Sequence, residues 1–106
     1  MIFLPYIITT CWYPPDLLNE VVKVYLEALQ KQPVPSYIKR VVPAAGTSGR
    51  TGLKVINVDE VKQEDMGKAL DYIADFMMNF NNIKGFRYAT KTYATISETL
   101  KRLGMG

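Results

Sequence analysis

The first clear pattern in the chain is a run of aromatic and β-branched residues from Phe3 to Tyr13, the composition of a strand. Pro14-Pro15 stops it, since proline cannot donate to a ladder but suits the first turn of a helix. Asp16 then places a negative charge at the positive end of the helix dipole. From Leu17 to Lys31 the period changes. Leu18, Val22, Tyr25 and Leu29 recur at helical steps, with Val21 and Leu26 beside them and Asn19, Glu20, Lys23 and Glu27 on the other side. Such a pattern predicts an amphipathic helix covering one face of a neighbouring layer. Gln32-Pro33-Val34-Pro35 ends it.

A second strand is expected over Tyr37 to Ala45 and a third over Leu53 to Val58. Gly46, Gly49 and Gly52 lie in the polar GTSGRTG segment between them. A phosphate cradle would end in Gly-Lys-Ser/Thr and open a helix; this segment opens a strand, so it reads as a hairpin connection. A second helix begins near Glu64 and Asp65, with Met66, Leu70, Ile73, Met77 and Phe80 as its apolar stripe, widened by Ala69, Ala74 and Phe76. Methionines at that spacing are core fillers. Asn81-Asn82 and Gly85 break the helix, and a fourth strand follows over Phe86 to Thr95. Ser97 is expected to cap a short terminal helix carrying Leu100 and Leu103. The chain has no internal repeat and no low-complexity segment.

The 106 residues suffice for one core and not for two, so the whole chain, 1–106, is read as a single domain. A hydrophobic fraction of 48% with 22% charged residues fits a folded chain rather than a disordered one. Net charge is +3, and the longest basic clusters are the pairs Lys39-Arg40 and Lys101-Arg102, read as solvated ends of elements. No nucleic-acid partner is expected. The lone Cys11 implies no internal disulfide. Histidine is absent, which excludes a Cys–His pair, a Ser–His–Asp triad and a His-ligated metal site. Neither a metal nor a cofactor is expected. Met1 to Ile8 is apolar but lacks the basic region and cleavage site of a signal peptide, and no run approaches the roughly 20 apolar residues of a membrane span. The expectation is a cytoplasmic protein with no membrane partner.

The order strand–helix–strand–strand–helix–strand predicts an α+β fold, with right-handed crossovers placing both helices on one face of a four-stranded antiparallel sheet. A monomeric sheet of that kind should alternate apolar inward and polar outward. These strands carry apolar residues on both parities. Tyr6, Ile8 and Trp12 oppose Ile7 and Cys11; Leu53 and Val55 oppose Ile56 and Val58; Phe86 and Tyr88 oppose Ala89 and Tyr93. The uncovered face is therefore expected to pair with a second copy.

The βαββαβ order, the strand ending Cys11-Trp12-Tyr13 before Pro14-Pro15, and the Ile83-Lys84-Gly85-Phe86 lead into the last strand resemble the dimeric α/β-barrel proteins. That superfamily includes small monooxygenases, muconolactone isomerase-like and chlorite dismutase-like proteins and stress-responsive barrel domains. The resemblance covers nearly the whole chain. It implies a ferredoxin-like domain that pairs sheet to sheet as a homodimer and holds a small apolar or aromatic molecule in a cleft between sheet and helices, with cofactor-independent monooxygenase- or isomerase-like chemistry.

Polar groups expected to meet such a cleft are Tyr6, Thr10, Trp12, Arg40, Tyr88 and Thr92. Tyrosine or arginine there would hydrogen-bond a substrate oxygen and stabilise enolate-like charge. Alternatively, the aromatics fill a dimer core with their polar tips at its rim, giving a non-catalytic ligand-binding or assembly domain. Asp59 and Glu60 are candidate proton acceptors, but, read as lying at a strand end before Val61 and Lys62, they are expected to be solvated. An RNA-binding module is a third reading, because Lys84-Gly85-Phe86-Arg87-Tyr88 imitates the basic–Gly–aromatic signature of RNA-recognition domains. Here that stretch falls on the fourth strand, and the third, Leu53 to Val58, has no aromatic.

Overall fold

The computed structural model describes residues 4–50 and 52–105. Strand β1 spans Tyr6–Tyr13, followed by a single 3₁₀ turn at Pro15–Leu17 and helix α1 at Leu18–Lys31. The turn is set by the prolines: Pro15 occupies its first position, and the Leu17 amide donates to the Pro14 carbonyl at 3.1 Å. Strands β2, Ile38–Gly49, and β3, Gly52–Val61, form a hairpin. Helix α2, Met66–Met77, continues into a 3₁₀ turn at Met78–Phe80, and strand β4, Arg87–Tyr93, precedes helix α3, Ile96–Arg102. No helix among the described residues is long and apolar enough to cross a membrane.

The fold is α+β, with an open antiparallel sheet of order β2-β3-β1-β4. Its register sorts the side chains into two sets of rows. One face carries Arg40–Asp59–Ile7–Thr92, then Asn57–Thr9–Thr90, then Gly46–Val55–Cys11–Tyr88, then Ser48–Leu53–Tyr13. The other carries Lys39–Glu60–Tyr6–Tyr93, Val42–Val58–Ile8–Lys91, Ala45–Ile56–Thr10–Ala89 and Thr47–Lys54–Trp12–Arg87. Along β1 burial alternates without a break: Ile7, Thr9, Cys11 and Tyr13 are buried, while Tyr6, Ile8, Thr10 and Trp12 are half-exposed. The buried set joins Val21 and Ala28 of α1 and Ala69, Ile73, Phe76 and Met77 of α2 in one core. This is the inner face, beneath the helices. The Trp12 parity points away from them.

Several boundaries differ from expectation, each for a local reason. The first three residues of the chain, including Phe3 of the predicted strand, lie outside the described residues. Strand β2 continues through Gly46–Gly49, so most of the glycine segment is ladder. Gly49 pairs with Gly52, and the connection shrinks to Arg50 and Thr51, the latter outside the described residues. Strand β3 runs on to Val61, which places Asp59 inside the ladder. Helix α3 is capped by Thr95, whose hydroxyl accepts from the Glu98 amide at 3.2 Å, with Glu98 folded back toward it. Thr95-x-x-Glu98 has the capping-box spacing, a signal present in the sequence, although here the carboxylate accepts from the Thr95 hydroxyl at 3.3 Å, and Ser97 lies inside the helix.

Two glycines are required by geometry. Gly85, at φ +96°, turns the chain so that Phe86 enters the core, and Gly52, at φ +119°, sits against β1. A Cβ on Gly52 would lie 2.7 Å from the Tyr13 carbonyl oxygen, whereas one on Gly49 would meet nothing within 4 Å. Gly52→Ala is therefore expected to destabilise by at least about 1 kcal/mol, combining positive-φ strain with a backbone clash. Gly49→Ala is expected to stay within about 0.5 kcal/mol of the parent. Urea titration of the two variants checks the contrast, and equal costs would contradict it.

Candidate functional site

Between the inner face and the helices lies a partly open cavity of about 420 Å³, within the range of small-ligand sites. Its floor is the inner rows of the sheet, and its roof comes from Leu18, Val21, Val22 and Tyr25 of α1 and Tyr72, Ile73, Phe76 and Met77 of α2. The cavity exists partly because the sheet is short of side chains there. Strand β2 slips register twice, between Arg40 and Val42 and between Val42 and Ala45. Gly46 then contributes no side chain opposite Val55. Pro43 is tolerated because β2 is an edge strand and the bulge needs no ladder donor at that point.

Aromatic rings make much of the wall. Tyr25 meets Phe76 edge-on at 5.9 Å, and Phe80 stacks on Phe86 at 4.7 Å, which in turn stacks on Tyr13 at 5.9 Å. Phe86 is thus held between Phe80 and Tyr13, so the aromatic of the Lys84-Gly85-Phe86 stretch is committed to packing rather than open to a base. The roof is tied down where α1 ends: the Tyr72 hydroxyl donates to the Gln32 carbonyl at 2.6 Å, and Asn79 Nδ2 donates to Gln32 Oε1 at 2.7 Å.

The polar end of the floor is built by β1, β2 and β3. Arg40 donates through Nε to Asp59 Oδ1 at 2.8 Å and through Nη2 to Oδ2 at 3.1 Å, a two-pronged ion pair. Asp59 has no exposed surface. The expectation of a solvated Asp59 is therefore corrected. Because β3 reaches Val61, Asp59 falls on the inner parity opposite Arg40. Burial alone would lower the Arg40 pKa, but the hydrogen bonds and charge of Asp59 outweigh it and hold the guanidinium above its ordinary value. One row further, Thr9 and Asn57 face each other across β1 and β3. Asn57 Oδ1 accepts from the Ala44 amide at 2.8 Å, which holds Ala44 at φ 42° in the second bulge. Thr9 Oγ1 is buried and makes no hydrogen bond among the described residues.

The six residues anticipated for the cleft are not brought together. Tyr6, Thr10 and Trp12 are on the outer face, and Arg40, Tyr88 and Thr92 are on the inner one. Of the six, Arg40 lines the cavity. Tyr88 and Thr92 stand exposed on edge strand β4. The residues missed were Thr9, Asn57 and Gly46, and Asp59 had been set aside as solvated. Thr9 was legible as the alternate of Thr10, and Asn57 and Asp59 as polar residues at steps of two from Val55 and Val61.

No protein-family model matches the chain, and no curated protein matches it. Solved structures similar to it include the de novo designed protein Foldit4, at 8% identity and a TM-score of 0.51, covering 87% of this chain and 97% of that one. Another is a DUF3240 family protein from Shewanella baltica OS155, at 10% identity and a TM-score of 0.36, covering 81% of this chain and 86% of that one. The likeness to Foldit4 concerns the fold alone.

Cys11 lines the cavity, and burial pushes its thiol up to about 11. At pH 8 roughly 0.1% is thiolate, so an aqueous thiol reagent should label it far more slowly in the native chain than in urea. Its raised value also carries a stability sign. The native state holds the proton more tightly than the unfolded one, so this contribution is complete below pH 9.0 and is lost as pH rises toward about 11. Burial raises Tyr13 and Tyr72 in the same direction. Denaturant titrations across that window should show a steeper alkaline loss for the parent than for Cys11→Ala; parallel curves would contradict the assignment.

Proposed function

We propose that this chain is a ferredoxin-like domain that pairs as a homodimer of the dimeric α/β-barrel type and binds a small apolar or aromatic molecule between sheet and helices. The observation that carries the binding half is the cavity of about 420 Å³, with aliphatic and aromatic walls and a polar cluster confined to one end, the usual design of a small-molecule site. The strand order β2-β3-β1-β4, with α1 and α2 on one face, supports the architecture. Arg40 is the residue suited to hold an oxygen of the guest. Its guanidinium and the apolar walls are features that support binding.

The dimer half rests on the outer face. Its centre, Ile8, Val58, Ile56, Thr10 and Ala89, is largely apolar and half-buried, and α1 and α2 leave it uncovered. Around that centre stand Lys39, Lys54, Arg87 and Lys91 against the single acid Glu60. An apolar centre with a charged rim is ordinary interface anatomy. A two-fold axis sets each positive rim against its copy, so screening favours association.

Two experiments test the proposal. For the cavity, the uncharged dye N-phenyl-1-naphthylamine should bind one per chain with a rise in fluorescence. Val22→Trp, at an exposed position on the cavity lining, should weaken it at least about tenfold while leaving the fold intact. Equal binding by both proteins would show that the dye sits elsewhere. For the dimer, sedimentation equilibrium at micromolar concentration should give twice the single-chain mass, with association tightening from about 50 mM to about 500 mM salt. Trp12→Ala should shift it toward the monomer. A single-chain mass throughout would sink the pairing.

A further inference from the structure

The polar groups around the cavity are unequally spent. Arg40 uses Nε and Nη2 on Asp59, and its Nη1 has no partner among the described residues. Asn57 uses its carbonyl oxygen on the Ala44 amide, which leaves its amide nitrogen as an unused donor. Tyr72 has already given its proton to the Gln32 carbonyl. Thr9, 3% exposed and part of the lining, has a hydroxyl without a partner among the described residues. What remains on offer at this end is chiefly N–H and O–H. The group that completes it is an acceptor.

Charge narrows the class. Arg40 is the one ionised residue among the described residues lining the cavity, and Asp59 already neutralises it. A carboxylate entering here would be desolvated against a guanidinium whose charge is already matched, with the Asp59 carboxylate behind it. A cation would face donors. An uncharged acceptor incurs neither cost. The opposite end of the floor is Leu53 and Tyr13 with Phe86 alongside, an apolar wall against which the edge of a ring can pack.

We infer that the cavity selects an uncharged, largely aromatic molecule that presents a carbonyl-type acceptor to Arg40, Asn57 and Thr9, with its ring toward Tyr13 and Phe86. This rests on the binding reading above and is separable from it. Three molecules of nearly one shape make the test: 2-acetylnaphthalene, 2-naphthoate and 2-isopropylnaphthalene, each titrated by calorimetry or by displacement of N-phenyl-1-naphthylamine. The ketone should bind at least about tenfold more tightly than either of the others. Thr9→Val removes the unpartnered hydroxyl and keeps the shape, so it should melt no earlier than the parent yet shrink the preference for the ketone over the hydrocarbon. Naphthoate binding as well as the ketone would overturn the inference in favour of an anion site. Isopropylnaphthalene binding as well would overturn it in favour of purely apolar recognition; in both cases the binding reading survives. If none of the three binds, the binding reading fails and the inference with it. An unchanged preference in a folded Thr9→Val would remove Thr9 from the recognition.

Discussion

A carboxylate with no exposed surface is tolerable only beside a cation that also hydrogen-bonds it, and Asp59 is in that position with Arg40. The pair is not best understood as a source of stability. Two ions taken out of water recover the desolvation cost only in good geometry, and a well-packed apolar pair of similar size would do about as well. Its effect is on alignment. Removing either partner would leave a buried charge uncompensated, at a cost of roughly 3–5 kcal/mol, so any slip that separated the two residues would carry a similar penalty. The hairpin of β2 and β3 is therefore pinned at its base, next to Ile38 and Val61, and the guanidinium fork is fixed at one end of the floor.

Beyond that pin the hairpin is free to be irregular, and the cavity results. Strand β2 carries two bulges within a few residues of Arg40. Each extra residue changes which side chains β2 turns inward, and where side chains would fill the space beneath α1 the strand presents Ala44 and Gly46. The Asn57 side chain takes up the Ala44 amide that a regular ladder would have paired with backbone, so the irregularity leaves that donor satisfied. Ion pair, bulge and hollow thus follow one another along the same hairpin, with the gap lying over Thr9 and Cys11.

Much of the fold was legible because periods of 2 and 3.6 survive in the sequence, and the cavity was not because it depends on register. The strand and helix order followed from Pro14-Pro15, Pro33, Gly85 and the stripes of α1 and α2. The split of β1 into a Trp12 face and a Cys11 face followed from strict alternation. Which residues of other strands share those faces could not follow. It requires knowing that Thr10 stands opposite Ile56 and Ala89, while Cys11 stands opposite Val55 and Tyr88. The six candidates mixed the two faces for that reason. Asp59 was misread through a boundary: a strand ending at Val58 leaves it in solvent, whereas a strand ending at Val61 buries it.

The same register relocates the charge of the chain. The net charge of +3 arises from 13 basic and 10 acidic residues scattered along the sequence, and no basic run exceeds a pair. Folded, the outer rows gather Lys39, Lys54, Arg87 and Lys91 with Glu60 alone against them, a surplus of four minus one, or three. The rest of the chain is then balanced, and the inner face is neutral because Arg40 and Asp59 cancel. The two faces thus impose opposite demands. Whatever enters the cavity gains from donors and from ring contact and gains nothing from charge. Whatever meets the outer face must either screen a positive rim or bring enough apolar contact to outweigh it, and a second copy of the chain brings the same net positive rim. Association of two copies would thus have to be carried by the Ile8, Ile56 and Val58 centre, with Trp12 and Tyr6 closing it from opposite ends.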